Sequence, residues 1–255
     1  MSDVEDPQQT GTGRRRFARI PEILLIIVIV VGLIWGTRPR VGSGPASSRF
    51  RCMNNMKSIA LAMTNYHADY GCFPPAYVAD ENGRPMHSWR VLLLPYLDMA
   101  AMHRQYDFDE PWNGPNNSKL GKFVPAFFRC PVDDDDDTFD TSYVVVVGPE
   151  TLFPGTGCTK QDDVTDGLDQ TIVLVEMADS GIHWMEPRDL HVSQMTPSFN
   201  EPPGRGISSH HGDVVVVSFA NGRVESLPKN LDSKFVRAYL TINGGEDATD
   251  WYDER

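Results

Sequence analysis

The chain has 255 residues, 40% of them hydrophobic, with 35 acidic against 23 basic side chains and a net charge of -12. That length fits one sizeable domain, able to bury a core without disulfides. The acidity lies after residue 40: positions 41–255 hold 31 acids and 17 bases, a balance that repels phosphate backbones and argues against nucleic acid as a partner.

Residues 1–19 read as a polar, basic, disordered cytoplasmic tail ending in Arg14-Arg15-Arg16 and Arg19. Positions 20–37 are apolar apart from Glu22 and Thr37 and give roughly 27 Å of helix, enough to span a bilayer. The preceding arginines favour an inside N-terminus and an outside bulk. A cleaved signal peptide is the rival reading, but Gly36-Thr-Arg-Pro-Arg40 lacks a small-x-small cleavage site. The expected localisation is therefore a single-pass cell membrane protein whose mass is extracytoplasmic. Residues 38–47, with Gly42-Ser-Gly-Pro-Ala-Ser-Ser48 at their end, read as a flexible linker.

The ectodomain is expected over 48–246, followed by an acidic tail, 247–255. It opens with an amphipathic helix from about Ser48 to Ala68, capped by Ser47 or Ser48. Phe50, Met53, Met56, Ile59, Met63 and Tyr66 would form its apolar stripe. Gly71 can close that helix in the left-handed conformation, and Pro74-Pro75 forbid its continuation. Later come the β-branched runs Thr141–Val147, Thr171–Glu176 and Asp213–Phe219. Asn221-Gly222 is a hairpin turn to Arg223–Leu227, and a short helix spans Ser233–Leu240. The fold class is α+β: a long amphipathic helix packed on a largely antiparallel sheet.

Several words of this sequence carry a resemblance. The stretches C-x-N-N-x-K-x-I-x-x-A-x-x-N-Y-H (Cys52, Asn54, Asn55, Lys57, Asn65, Tyr66, His67) and Y-G-x-F-P-P (Tyr70, Gly71, Pro74) are two of them. So are His87-Ser-Trp-Arg-Val-Leu-Leu-Leu-Pro-Tyr-Leu97, Glu110-Pro-Trp-Asn-Gly around Trp112, and Asp-Val-Thr-Asp-Gly with Asp166 and Gly167 ahead of Glu176. Together they resemble the prepilin-like family called domain of unknown function fifteen fifty-nine. His211 followed by Asn221-Gly222, within residues 205–246, is similar to that family's closing His-x9-Asp-Gly motif, with Asn for Asp. The resemblance implies a type IV pilin-like or pseudopilin-like fold. It does not extend to the processing site: aligning Glu22 with the fifth residue of a mature prepilin puts Phe17 where a Gly precedes the cut.

Four cysteines, Cys52, Cys72, Cys130 and Cys158, form no C-x-x-C pair, which argues against zinc ribbons and thioredoxin chemistry. In an oxidising compartment an even number suggests up to two disulfides. The resemblance implies that Cys52 and Cys130 pair, which leaves Cys72 to Cys158. Calcium is the one cofactor to weigh. Asp133, Asp135 and Asp137 lie in an aspartate run that reads as a solvated loop, and Asp162 and Asp166 lie in a loop that fails the EF-hand pattern. A metal or catalytic role for His210 or His211 would need partners absent from their neighbourhood in sequence. Adjacent residues also point to opposite faces. Glu176, Asp179, His183, Trp184 and Glu186 are a possible acid/base group, though they also read as a strand running into a turn. Trp89, Trp112 and Trp184 read as core or rim.

The expected function is a membrane-anchored, pilin-like protein of structural or secretion-associated role. It would not be an enzyme, and its partners would be the membrane and copies of itself or other secretion components. The alternative is a tethered surface module binding a glycan, a peptide or calcium; a hydrolase is a remote third.

Overall fold

The computed structural model describes residues 45–133, 138–199 and 201–246. The tail at 1–19, the apolar segment at 20–37, Asp135, Asp137 and the tail at 247–255 lie outside them. Among the described residues no helix is long and apolar enough to cross a membrane.

Helix α1 runs over Pro45–Tyr70. It begins inside the expected linker, and neither Ser47 nor Ser48 is its cap. Proline at the first helical position costs no hydrogen bond and presets φ, so Pro45 starts the helix rather than ending a linker. Its buried stripe is Cys52, Met56, Ile59, Ala62 and Met63. Phe50, expected in that stripe, is 62% exposed, while Met53 and Tyr66 are half-buried at its edge. Gly71 ends the helix at φ +76, its amide donating to the His67 carbonyl at 2.8 Å.

The sheet that α1 covers has four antiparallel strands in the order β3 (Tyr143–Val144), β5 (Ile172–Glu176), β7 (Val214–Phe219), β8 (Val224–Pro228). Both of its faces are buried. Leu174 and Val216 join the α1 stripe, while Val215, Val217 and Phe219 pack on the other side against helix α2 (Ser233–Leu240). Strands buried on both sides read as continuous apolar runs rather than alternating ones, which is why Val214–Val217 are four valines. Burying each valine is worth about 1.5–3 kcal/mol.

The run Thr141–Val147 does not form one strand. The Val145 amide turns to Asp189 Oδ1 at 3.0 Å, and the chain leaves the main sheet there. Val146–Val147 (β4) then pairs in parallel with Leu190–His191 (β6). A third small sheet joins Tyr77–Ala79 (β1) to Pro85–Ser88 (β2). The hairpin at Asn221-Gly222 forms as expected, but only Gly222 takes a positive φ (+83); Asn221 instead accepts the Arg223 amide on Oδ1 at 2.9 Å.

Candidate functional site

One point beneath α1 gathers four chemistry-bearing side chains. Cys52 lies on the buried stripe of α1. Cys130 follows the single helical turn Ala126–Phe128, and that turn is held to α1 by Asn55, whose side-chain amide donates to the Ala126 and Arg129 carbonyls at 3.0 and 2.9 Å. Glu176 ends β5, and His211 sits in the turn before β7. One donor atom from each of the four lies within 4.8 Å of all the others, the only such grouping of three or more His, Cys, Asp or Glu among the described residues.

The contacts are short and buried. Cys52 Sγ donates to Glu176 Oε1 at 2.5 Å, Tyr143 Oη donates to Cys52 Sγ at 3.1 Å, and Glu176 Oε2 accepts the Val216 amide at 2.7 Å. His211 Nε2 lies 3.2 Å from Cys130 Sγ and 3.3 Å from Glu176 Oε1. The Cys130 amide donates to Ser142 Oγ at 2.8 Å. Cys52 and Tyr143 are fully buried, and the Glu176 and His211 side chains are 3% and 2% exposed.

Electrostatics divide the two thiols. Burial pushes Cys52 far above the ordinary thiol range, and the nearby Cys130 and the Glu176 charge push the same way. The neighbouring Cys52 thiol draws Cys130 down to about 7 against the effect of burial, and His211 draws it in the same direction. Burial disfavours a charged His211, but its bonds to Cys130 and Glu176 outweigh that and carry it to about 10. The lowered Cys130 thiol and the raised His211 ring favour a thiolate–imidazolium pair, while Cys52 holds its proton against Glu176. Burial also holds the Tyr143 hydroxyl well above its usual range, so it stays a donor.

The structure revises several expectations. Cys52 and Cys130 come together but are both free; Cys52 is instead engaged by Glu176 and Tyr143, and Cys130 by His211. Cys72 and Cys158 are joined by a disulfide. His211 has the partners that its sequence neighbourhood lacked, drawn from far along the chain. His210 points away from it, 3.3 Å from Asp179 and 3.7 Å from Asp133. The acid/base grouping of Glu176, Asp179, His183, Trp184 and Glu186 is dispersed. Glu176 turns into the cluster, Glu186 pairs with Arg188, His183 lies on Trp112, and Trp184 is core with its indole donating to the Gly121 carbonyl.

The remaining candidates have structural roles or face solvent. Asp166 accepts from the Gly244 and Gly245 amides at 2.8 and 2.9 Å and from Thr241, so both its oxygens are used; Asp162 is exposed. Asn54, Lys57 and Asn65 are exposed on the outer side of α1, Tyr66 stacks on Tyr70, and His67 accepts the Gln161 amide. Pro74 is buried after the helix stop, and Gly167 takes φ +100. Tyr143 was missed from the sequence, where it reads only as a strand residue.

Residues 45–157 match the family described as "Protein of unknown function (DUF1559)". The matched segment contains Cys52 and Cys130, while Glu176 and His211 follow it. No curated protein and no solved structure matches the chain.

Proposed function

We propose that this chain is a membrane-anchored, extracytoplasmic, pilin-like protein with a structural or secretion-associated role and no catalytic activity. The observation that carries this reading is α1 packed on one face of an antiparallel sheet, following in sequence the apolar stretch 20–37 and its flanking arginines. A non-catalytic role fits the thiol cluster. Cys130 and Glu176 both meet Nε2 of His211, whereas a nucleophile–histidine–acid relay needs the acid on the other ring nitrogen. Both sulfurs are also closed to an approaching substrate, since Cys52 and Cys130 are 0% and 2% exposed.

A tethered binding module is the second reading. It is favoured by a surface hollow of about 500 Å³ lined by Glu150, Thr151, Val192, Met195 and Arg237.

Mass spectrometry of the native N-terminus, on protein from the membrane fraction, tests the proposal. An intact N-terminus gives a simple anchor, and a chain cut near Phe17 with a methylated amine gives pilin processing. Recovery of the chain only from the soluble fraction overturns both.

A further inference from the structure

Two thiols, an imidazole and a carboxylate converging beneath one helix are the donor set of a transition-metal centre. We propose that Cys52, Cys130, Glu176 and His211 bind one zinc-class divalent cation, through both Sγ atoms, Glu176 Oε1 and His211 Nε2. In a tetrahedral zinc site, with bonds of about 2.3 Å to sulfur and 2.0–2.1 Å to nitrogen or oxygen, neighbouring donors stand about 3.3–3.8 Å apart. The His211–Glu176 separation of 3.3 Å and the Cys130–His211 separation of 3.2 Å are already close to that. The Cys52–Glu176 contact, 2.5 Å, must open by about 1 Å, because there a thiol proton holds the place of the cation, and the remaining donor pairs, all within 4.8 Å, draw in around the ion.

The surroundings hold the donors as metal ligands are held. The Val216 amide binds Glu176 Oε2 and leaves Oε1 aimed inward; Tyr143 Oη donates to the Cys52 sulfur; Ser142 fixes the Cys130 backbone. Such outer partners orient ligands and tune their basicity. Two sulfur donors select zinc-like ions over calcium or magnesium, which require oxygen cages. The donor count of four and the burial of all four side chains describe a closed, structural centre rather than one with an open catalytic position. On coordination the Cys52 thiol proton, any proton left on Cys130 and the proton on His211 Nε2 leave to solvent, and the ion ties α1 to the Cys130 turn, β5 and the turn before β7. The site is independent of whether the chain polymerises.

The test is cobalt(II) titration of the full chain in mild detergent, anaerobically and after reduction and removal of bound metal. The proposal expects one equivalent to give sulfur-to-cobalt charge-transfer absorption and the intense visible bands of tetrahedral cobalt, both bleached by zinc. Cys52→Ser and Cys130→Ser should each weaken the charge-transfer band, and His211→Asn and Glu176→Gln should each lower affinity at least tenfold. Circular dichroism checks that each variant is folded. A Cys72→Ser/Cys158→Ser chain should keep the full cobalt spectrum. Failure to bind, or weak octahedral binding unchanged by all four substitutions, overturns the site. So does a Cys52–Cys130 disulfide that forms in air equally fast with and without zinc.

Discussion

The two pairs of cysteines in this domain lie in opposite settings. Cys72, half-buried just past the end of α1, is joined to the exposed Cys158 by a disulfide spanning 86 residues. Cys52 and Cys130 meet in the buried interior without a disulfide, with a carboxylate, an imidazole and a phenol on them. The difference teaches that proximity of thiols does not decide their chemistry. At the rim each thiol has only the other. In the core Glu176 and His211 give each sulfur a second use, and the pair reads as half of a ligand set.

The comparison breaks most visibly at Glu176. Replacing it with Ala removes one member of a buried charged pair and leaves the Val216 amide and the Cys52 thiol without their acceptor. Urea unfolding of Glu176→Ala should show a loss of about 3–5 kcal/mol. A loss under about 1 kcal/mol would mean that the carboxylate is not engaged as described.

The rim pair should matter less, and through the unfolded state. A disulfide is typically worth about 2–4 kcal/mol, so Cys72→Ser/Cys158→Ser should be destabilised by that amount. Reductant should destabilise the parent chain similarly and leave the double variant unchanged. A further reductant effect in that variant would show a bond between Cys52 and Cys130.

A smaller effect is expected at Asp166, where calcium was a candidate. Its oxygens hold the Gly244 and Gly245 amides, both exposed, so Asp166→Ala should cost about 1 kcal/mol. Calcium should shift neither its melting temperature nor that of the parent.

The weakest test near neutrality is a pH series on metal-free, reduced protein. His211 is raised to about 10, so the stability it adds is complete below its unfolded pKa, near 6.5, and is lost as pH climbs from there toward 10. Burial lowers His87, whose contribution is instead complete above about 6.5 and falls away on acidification. His211→Asn should flatten the alkaline limb of stability against pH, and His87→Asn the acid limb; the reverse pattern would contradict the assignments.

Much of the fold is local and therefore legible in the sequence. The 3.6-residue stripe marks α1, Gly71 marks its end, and Asn221-Gly222 and Ser233–Leu240 stand where their residue types place them. Phe50 misled because periodicity names a face without saying where the neighbouring layer stops. The break at Val145 was invisible because its cause, Asp189, lies 44 residues away. The cluster was hidden for the same reason: Cys52 meets Glu176 across 124 residues, and Cys130 meets His211 across 81. Each residue stands in a separate word of the sequence, and only the packing of α1 on the sheet brings those words together.

Native mass spectrometry of the full chain, purified without chelator or reductant, tests most directly that the interior pair is a ligand set and the rim pair a crosslink. The account predicts one disulfide, Cys72–Cys158, and one bound zinc ion that is lost in Cys52→Ser. Two disulfides and no metal would contradict it.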